Sequence, residues 1–156
     1  MADELWRKSA HELAVMIRGK QVSSREVVTS HLQRIDAVNP KINAVTVTLA
    51  ESALAAADKA DASESTGPFH GVPFTIKENI DCAGSATTMG VPALAEAMPV
   101  ADAPVVARMK SAGAIPLART NLPEMGLRIT TDNPLRGRTN NPWDITRTAG
   151  GSSGGE

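Results

Sequence analysis

Residues 71–80 read GVPFTIKENI, an apolar run that turns abruptly to charge at Lys77. Five to six apolar and β-branched residues ending in a lysine predict a buried strand that leaves the interior at its C-terminal end. Further on comes ADAPVVARMKSAGA (residues 101–114), in which Asp102 can cap a helix, Pro104 suits its first turn and Gly113 suits its exit. AIPLAR (114–119) then predicts a second short buried strand, and Asn121 can cap a short helix over LPEMG (122–126). Strand, helix and strand between about residues 72 and 118 predict a βαβ crossover and therefore an α/β fold with parallel pairing.

Toward the N-terminus the pattern is helical. Ser9 with Glu12, and Ser23 with Glu26, have the spacing of capping boxes, in which each side chain satisfies a backbone donor near the helix start. Leu13, Met16 and Ile17 form one apolar stripe, closed by Gly19, and Val28, Leu32 and Ile35 form another, with Asn39-Pro40 expected to end that helix. INAVTVT (42–48) predicts a strand, LAESALAAADKADA (49–62) a helix and SESTGP (63–68) a polar loop. From residue 130 to 156 prolines, glycines, asparagines and threonines dominate, so this long irregular segment is expected to be functional or to need further context.

Composition narrows the function classes. With 156 residues, 42% hydrophobic and 21% charged, the chain can bury a core, and a single domain is expected. A net charge of −1 and 3% aromatics, with no tyrosine, argue against nucleic acid or an anionic membrane as partner. The single cysteine, Cys82, excludes an internal disulfide framework. MADELWRKSAHEL at the start carries charges where a signal peptide needs an apolar run, and no run of about 18 apolar residues exists, so a cytoplasmic location is expected.

Two places hold chemistry. A lysine at position 77, drawn out of water, loses basicity and becomes a usable general base; the plainer alternative is a strand-end lysine reaching solvent. GGSSGG (150–155) combines backbone freedom with two hydroxyls, Ser152 and Ser153; its plainer alternative is a flexible linker. It is not a phosphate loop, because no Lys-Ser or Lys-Thr follows the glycines. His11, His31 and His70 lack metal-ligand spacing, so no metal is expected. Cys82 reads as a small buried residue, and Glu78 and Asp81 as solvated or structural.

Taken together, HGVPFTIKENID (70–81), GAIPLARTNLPEM (113–125) and GRTNNPWDITRTAGGSSGG (137–155) strongly resemble the amidase signature family in order and spacing. The helical start (9–45) is similar to that family's N-terminal helices, so the likeness covers essentially the whole chain. It implies the amidase-signature α/β fold, with N-terminal helices over residues 1–62 and the start of a catalytic core over 68–156, that core holding part of a mixed central sheet flanked by helices. It implies amide hydrolysis by a Ser–cis-Ser–Lys triad without a cofactor. The matching lysine is Lys77, the cis-serine is Ser152 preceded by Gly151, and Ser153 is a supporting neighbour. The family's nucleophilic serine lies in a later glycine-rich segment that also forms the oxyanion hole, expected here after Glu156. The chain is thus expected to be the N-terminal portion of one amidase domain, inactive alone. The implied partner is a small amide of unassigned identity, and a homo-oligomer is compatible with it. Met89, Thr130 and Thr131 are candidates for a substrate pocket only through this family resemblance. Three alternatives stay open: an amidase-type subunit of a tRNA-dependent amidotransferase, which GRTNNPWD resembles less than it does a general amidase; a non-catalytic fragment acting by association through uncovered sheet edges; and a minimal Ser–Lys hydrolase in which Ser152 itself attacks.

Overall fold

The computed structural model describes residues 4–64 and 67–156; part of the charged start (Met1, Ala2, Asp3) and Ser65 and Thr66 of the polar loop lie outside the described residues. Helix α1 (Ala10–Arg18) opens with the expected box: Ser9 Oγ accepts from the Glu12 amide at 3.2 Å and Glu12 accepts from the Ser9 amide at 2.8 Å. Helix α2 (Ser24–Ile42) repeats it with Ser23 and Glu26 at 3.1 and 2.8 Å. Asp61, at the end of α3 (Ala50–Asp61), adds a second acceptor for that helix start, taking the amides of Ser24 at 2.7 Å and Arg25 at 3.0 Å. Replacing Ser23 by alanine is expected to cost about 1 kcal/mol, read as a lower urea midpoint at unchanged slope.

Pro40 does not end α2, which runs on to Ile42. It sits in the last turn, so its missing N–H costs the helix one bond, to the Asp36 carbonyl, with little helix left beyond it to disrupt. The stop comes from Asn43 in the left-handed region (φ 50°) and from the Asn39 side chain, which accepts from the amides of Ala44 and Val45 at 2.9 and 2.8 Å. The following strand β1 is consequently shorter than expected, Val45–Thr48.

Strands β2 (Pro73–Lys77) and β3 (Ile115–Thr120) pair in parallel across helix α4 (Pro104–Ser111), the expected crossover. Strand β1 joins β3 antiparallel, so the sheet is mixed, in the order β1-β3-β2. Gly113 ends the α4 turn at φ +89°, and a Cβ there would lie 2.7 Å from the His70 backbone, so only glycine fits. Asp102 does not cap α4. The residue before the helix is Ala103, and the Asp102 carboxylate instead binds the Ala83 amide at 2.8 Å and the Lys110 ammonium at 2.7 Å. Nor does Asn121 cap the short turn at Glu124–Gly126, which follows Pro123; its side chain is taken by residues from the irregular segment.

Three apolar clusters hold these elements. Val27, with Leu13, Ile17 and Val72, fills the first; its neighbour Val28, with Ala53, Ala57, Ile115 and Leu117, fills the second; Ile76, Cys82 and Val106 form the third, beneath α4. Each fully buried valine contributes about 1.5–3 kcal/mol relative to exposure, so two adjacent residues of α2 fasten it to two separate clusters. The segment 130–156 has no helix or strand, as expected, and is fixed by scattered main-chain and side-chain hydrogen bonds instead. Among the described residues no helix is long and apolar enough to cross a membrane.

Candidate active site

Lys77 is the last residue of β2, opposite Thr120 of β3 in the parallel register. Its ammonium nitrogen donates to Ser152 Oγ and to Ser153 Oγ, both at 3.0 Å. The peptide bond between Gly151 and Ser152 is cis. Burial pushes the Lys77 amine below its ordinary basicity, and the nearby Glu156 carboxylate opposes that shift. A cavity of about 300 Å³ opens beside the pair, walled by Phe74, Ile76 and Met109 and reached by Lys77 and Ser153.

The serine loop is docked rather than trailing. The Thr131 hydroxyl donates to the Gly150 carbonyl at 2.8 Å and accepts from the Gly154 amide at 3.1 Å, while the Thr131 amide also reaches Gly150 at 2.8 Å. The Gly155 amide bonds the Asn121 carbonyl at 3.2 Å, and Glu156 accepts from Thr120 and, at 2.8 Å, from Thr75. A Cβ on Gly155 would sit 2.4 Å from the Asn121 nitrogen and 2.5 Å from the Ala44 carbonyl oxygen, both backbone atoms with nowhere to go. The glycine is there because the loop lies against the backbone at the end of β3, not to make a linker.

The other residues singled out in the sequence take the following places. Of the two places open to Glu78, solvated or structural, it takes the structural one: its side chain is wholly buried and pairs with Arg136 at 2.5 Å. Arg136 in turn belongs to a network in which Asn133 accepts its amide at 2.7 Å and donates to Asn121 at 2.7 Å, and Asn121 donates to Thr139 at 2.9 Å. Asp81 and Thr130 are exposed, whereas Thr131 is buried as the loop's anchor. Met89 lies away from the serines in the hydrogen-bond pattern, bridging the Glu78 carbonyl and the Met125 amide. His11 is exposed, His31 and His70 bond the Val27 and Ala60 carbonyls, and Cys82 is buried with its thiol pushed up by burial. Sequence reasoning missed Arg119, Asn133 and Arg136: Arg119 closes a stretch read as a buried strand, but nothing local says what it bonds, and nothing local distinguishes Asn133 and Arg136 from surface polar residues.

The amidase family profile matches residues 26–156. The chain belongs to the amidase family. Among its relatives in that family, the indoleacetamide hydrolase of Bradyrhizobium diazoefficiens is 49% identical over 155 residues, covering 97% of this chain and 30% of that protein. A glutamyl-tRNA(Gln) amidotransferase subunit of Acidothermus cellulolyticus is 42% identical, covering 97% of this chain and 31% of that one. A bacterial aryl acylamidase of the amidase signature family superposes with a TM-score of 0.89 at 34% identity, over 95% of this chain and 32% of its own. The α/β amidase fold expected from the motifs is therefore the one observed, in part, and the chain spans about 30% of the length of the relatives it matches.

Proposed function

We propose that the whole protein hydrolyses carbon–nitrogen amide bonds, and that this chain carries two members of its Ser–cis-Ser–Lys relay, Lys77 and Ser152. The observation that supports this reading is the meeting of the Lys77 amine with two serine hydroxyls at 3.0 Å, from positions 75 and 76 residues away in the chain. Neutral Lys77 takes a proton from Ser152 Oγ, which takes one from the attacking hydroxyl; the same path in reverse protonates the leaving amine. Ser153, sharing the amine, and Gly151 hold the relay serine in place. The nucleophile and the oxyanion donors belong, on this reading, to a glycine-rich segment outside residues 1–156, which form the N-terminal portion of a single amidase domain. The substrate is a small amide and the location cytoplasmic.

A component of a tRNA-dependent amidotransferase is the second reading, favoured by relatives such as the Acidothermus protein. Hydrolase ranks first because the net charge of −1 offers no electrostatic footprint for tRNA, and because the indoleacetamide hydrolase shares more identity. In the full-length protein, kcat/KM on simple aryl or alkyl amides should fall roughly 10²–10⁴-fold on Ser152→Ala. It should also rise with pH along a limb set by Lys77, since only the uncharged amine accepts a proton; burial places that limb below the ordinary lysine value. Undiminished turnover by the Ser152→Ala protein would remove Ser152 from the relay. Turnover by residues 1–156 alone, abolished by the same change, would make Ser152 the nucleophile instead.

A further inference from the structure

Arg119 is fully buried near the end of β3, beside Ile76 in the register of the parallel pair. Its guanidinium makes no hydrogen bond to a carboxylate among the described residues. All of its side-chain hydrogen bonds there go to main-chain carbonyls: Ile80 at 2.8 Å, Ile76 and Ser85 at 3.3 Å, and Lys77 at 3.4 Å. A charge kept from water costs several kcal/mol, and an apolar side chain of similar volume is often neutral or better for stability. Core packing alone therefore gives no reason for a cation at this position. A planar fork with five donors can, however, gather carbonyls from several points at once. Three of these four acceptors are Lys77 and its close neighbours, the stretch where the chain leaves β2 and turns, closed by the Ile80 amide on the Lys77 carbonyl at 2.9 Å.

We propose that Arg119 is a positioning residue for Lys77: by clamping the turn after β2 it sets where the amine meets Ser152. The proposal builds on the reading of Lys77 as the base, but the two fail separately. If Lys77 is not the base, activity survives its removal; if Arg119 does not position it, the geometry survives removal of Arg119.

The test uses the full-length protein with Arg119→Met, which keeps length and loses every donor, and Arg119→Lys, which keeps the charge but not the fork. A crystal structure of the methionine variant should show Lys77 Nζ beyond hydrogen-bonding reach of Ser152 Oγ. Its kcat should fall roughly ten- to hundredfold with KM nearly unchanged, as expected for a misplaced catalytic group, and the rising limb of its pH profile should move toward the ordinary lysine value. The lysine variant should show the same displacement to a smaller degree. A folded methionine variant with the Lys77–Ser152 contact, kcat and pH limb all intact overturns the proposal. Should methionine fail to fold, the lysine variant decides by the same readouts, and failure of both makes Arg119 a residue of folding and overturns it too.

Discussion

Lys77→Ala in the full-length protein is expected to lower kcat/KM for amide hydrolysis by roughly 10³–10⁴-fold, more than the loss of a single neutral contact, because both proton transfers of the cycle pass through this one amine. Lys77→Arg should be equally damaging although it preserves the positive charge, since a guanidinium does not deprotonate in a protein. That pairing separates a base from an electrostatic anchor: retained activity in the arginine variant would assign Lys77 the second role. Folding should survive both changes. Burial lowers the Lys77 pKa in the folded state, so folding disfavours its charged form; the lysine costs stability below its folded pKa, and that cost disappears as pH rises above the unfolded value. At neutral pH the alanine variant should melt no lower than the parent protein, which a thermal scan checks.

Arg136→Ala should have the largest effect on stability. It would strand the carboxylate of Glu78, which is 0% exposed and pairs with an arginine itself 25% exposed. Removing one member of a buried pair typically costs about 3–5 kcal/mol, because the survivor remains charged and away from water. The lower end applies here, since the arginine side reaches solvent, and the melting temperature should drop by roughly 6–12 °C. The double variant Glu78→Gln with Arg136→Met should recover much of the loss, as both charges are then gone. A single-variant loss below about 1 kcal/mol would show that water reaches Glu78 and that the pair is not what holds the irregular segment to the turn after β2.

Local signals carried the fold a long way. The two capping boxes, the crossover from β2 to β3 and the glycine exit of α4 depend on residues a few positions apart, and each stands where the spacing put it. Where a local signal failed, a competing partner decided, next door in one case and farther along the chain in the others. Pro40 lost to the side chain of Asn39, Asp102 was drawn to Lys110 and Ala83, and Asn121 to Asn133. At the site, the motif resemblance pointed to Lys77 and the serine pair, which the structure brings together, but not to what supports them. Glu78 and Arg136 are 58 residues apart and Arg119 is 39 from Ile80, so no window along the chain shows which partners these charges find.

The docking of Gly155 and Glu156 has a bearing on the order of assembly. Glu156 reaches back 81 residues to Thr75, and Asn43, whose turn leads into β1, holds Arg138, 95 residues on. Closures of that span come late and slowly when a chain folds, after the nearby helix turns have formed. During refolding the lysine should therefore first be an everyday surface amine, open to acylating reagents, and become partly shielded only when the serine loop seats. Pulse labelling of Lys77 against time would follow the birth of the site itself, distinct from the birth of the fold.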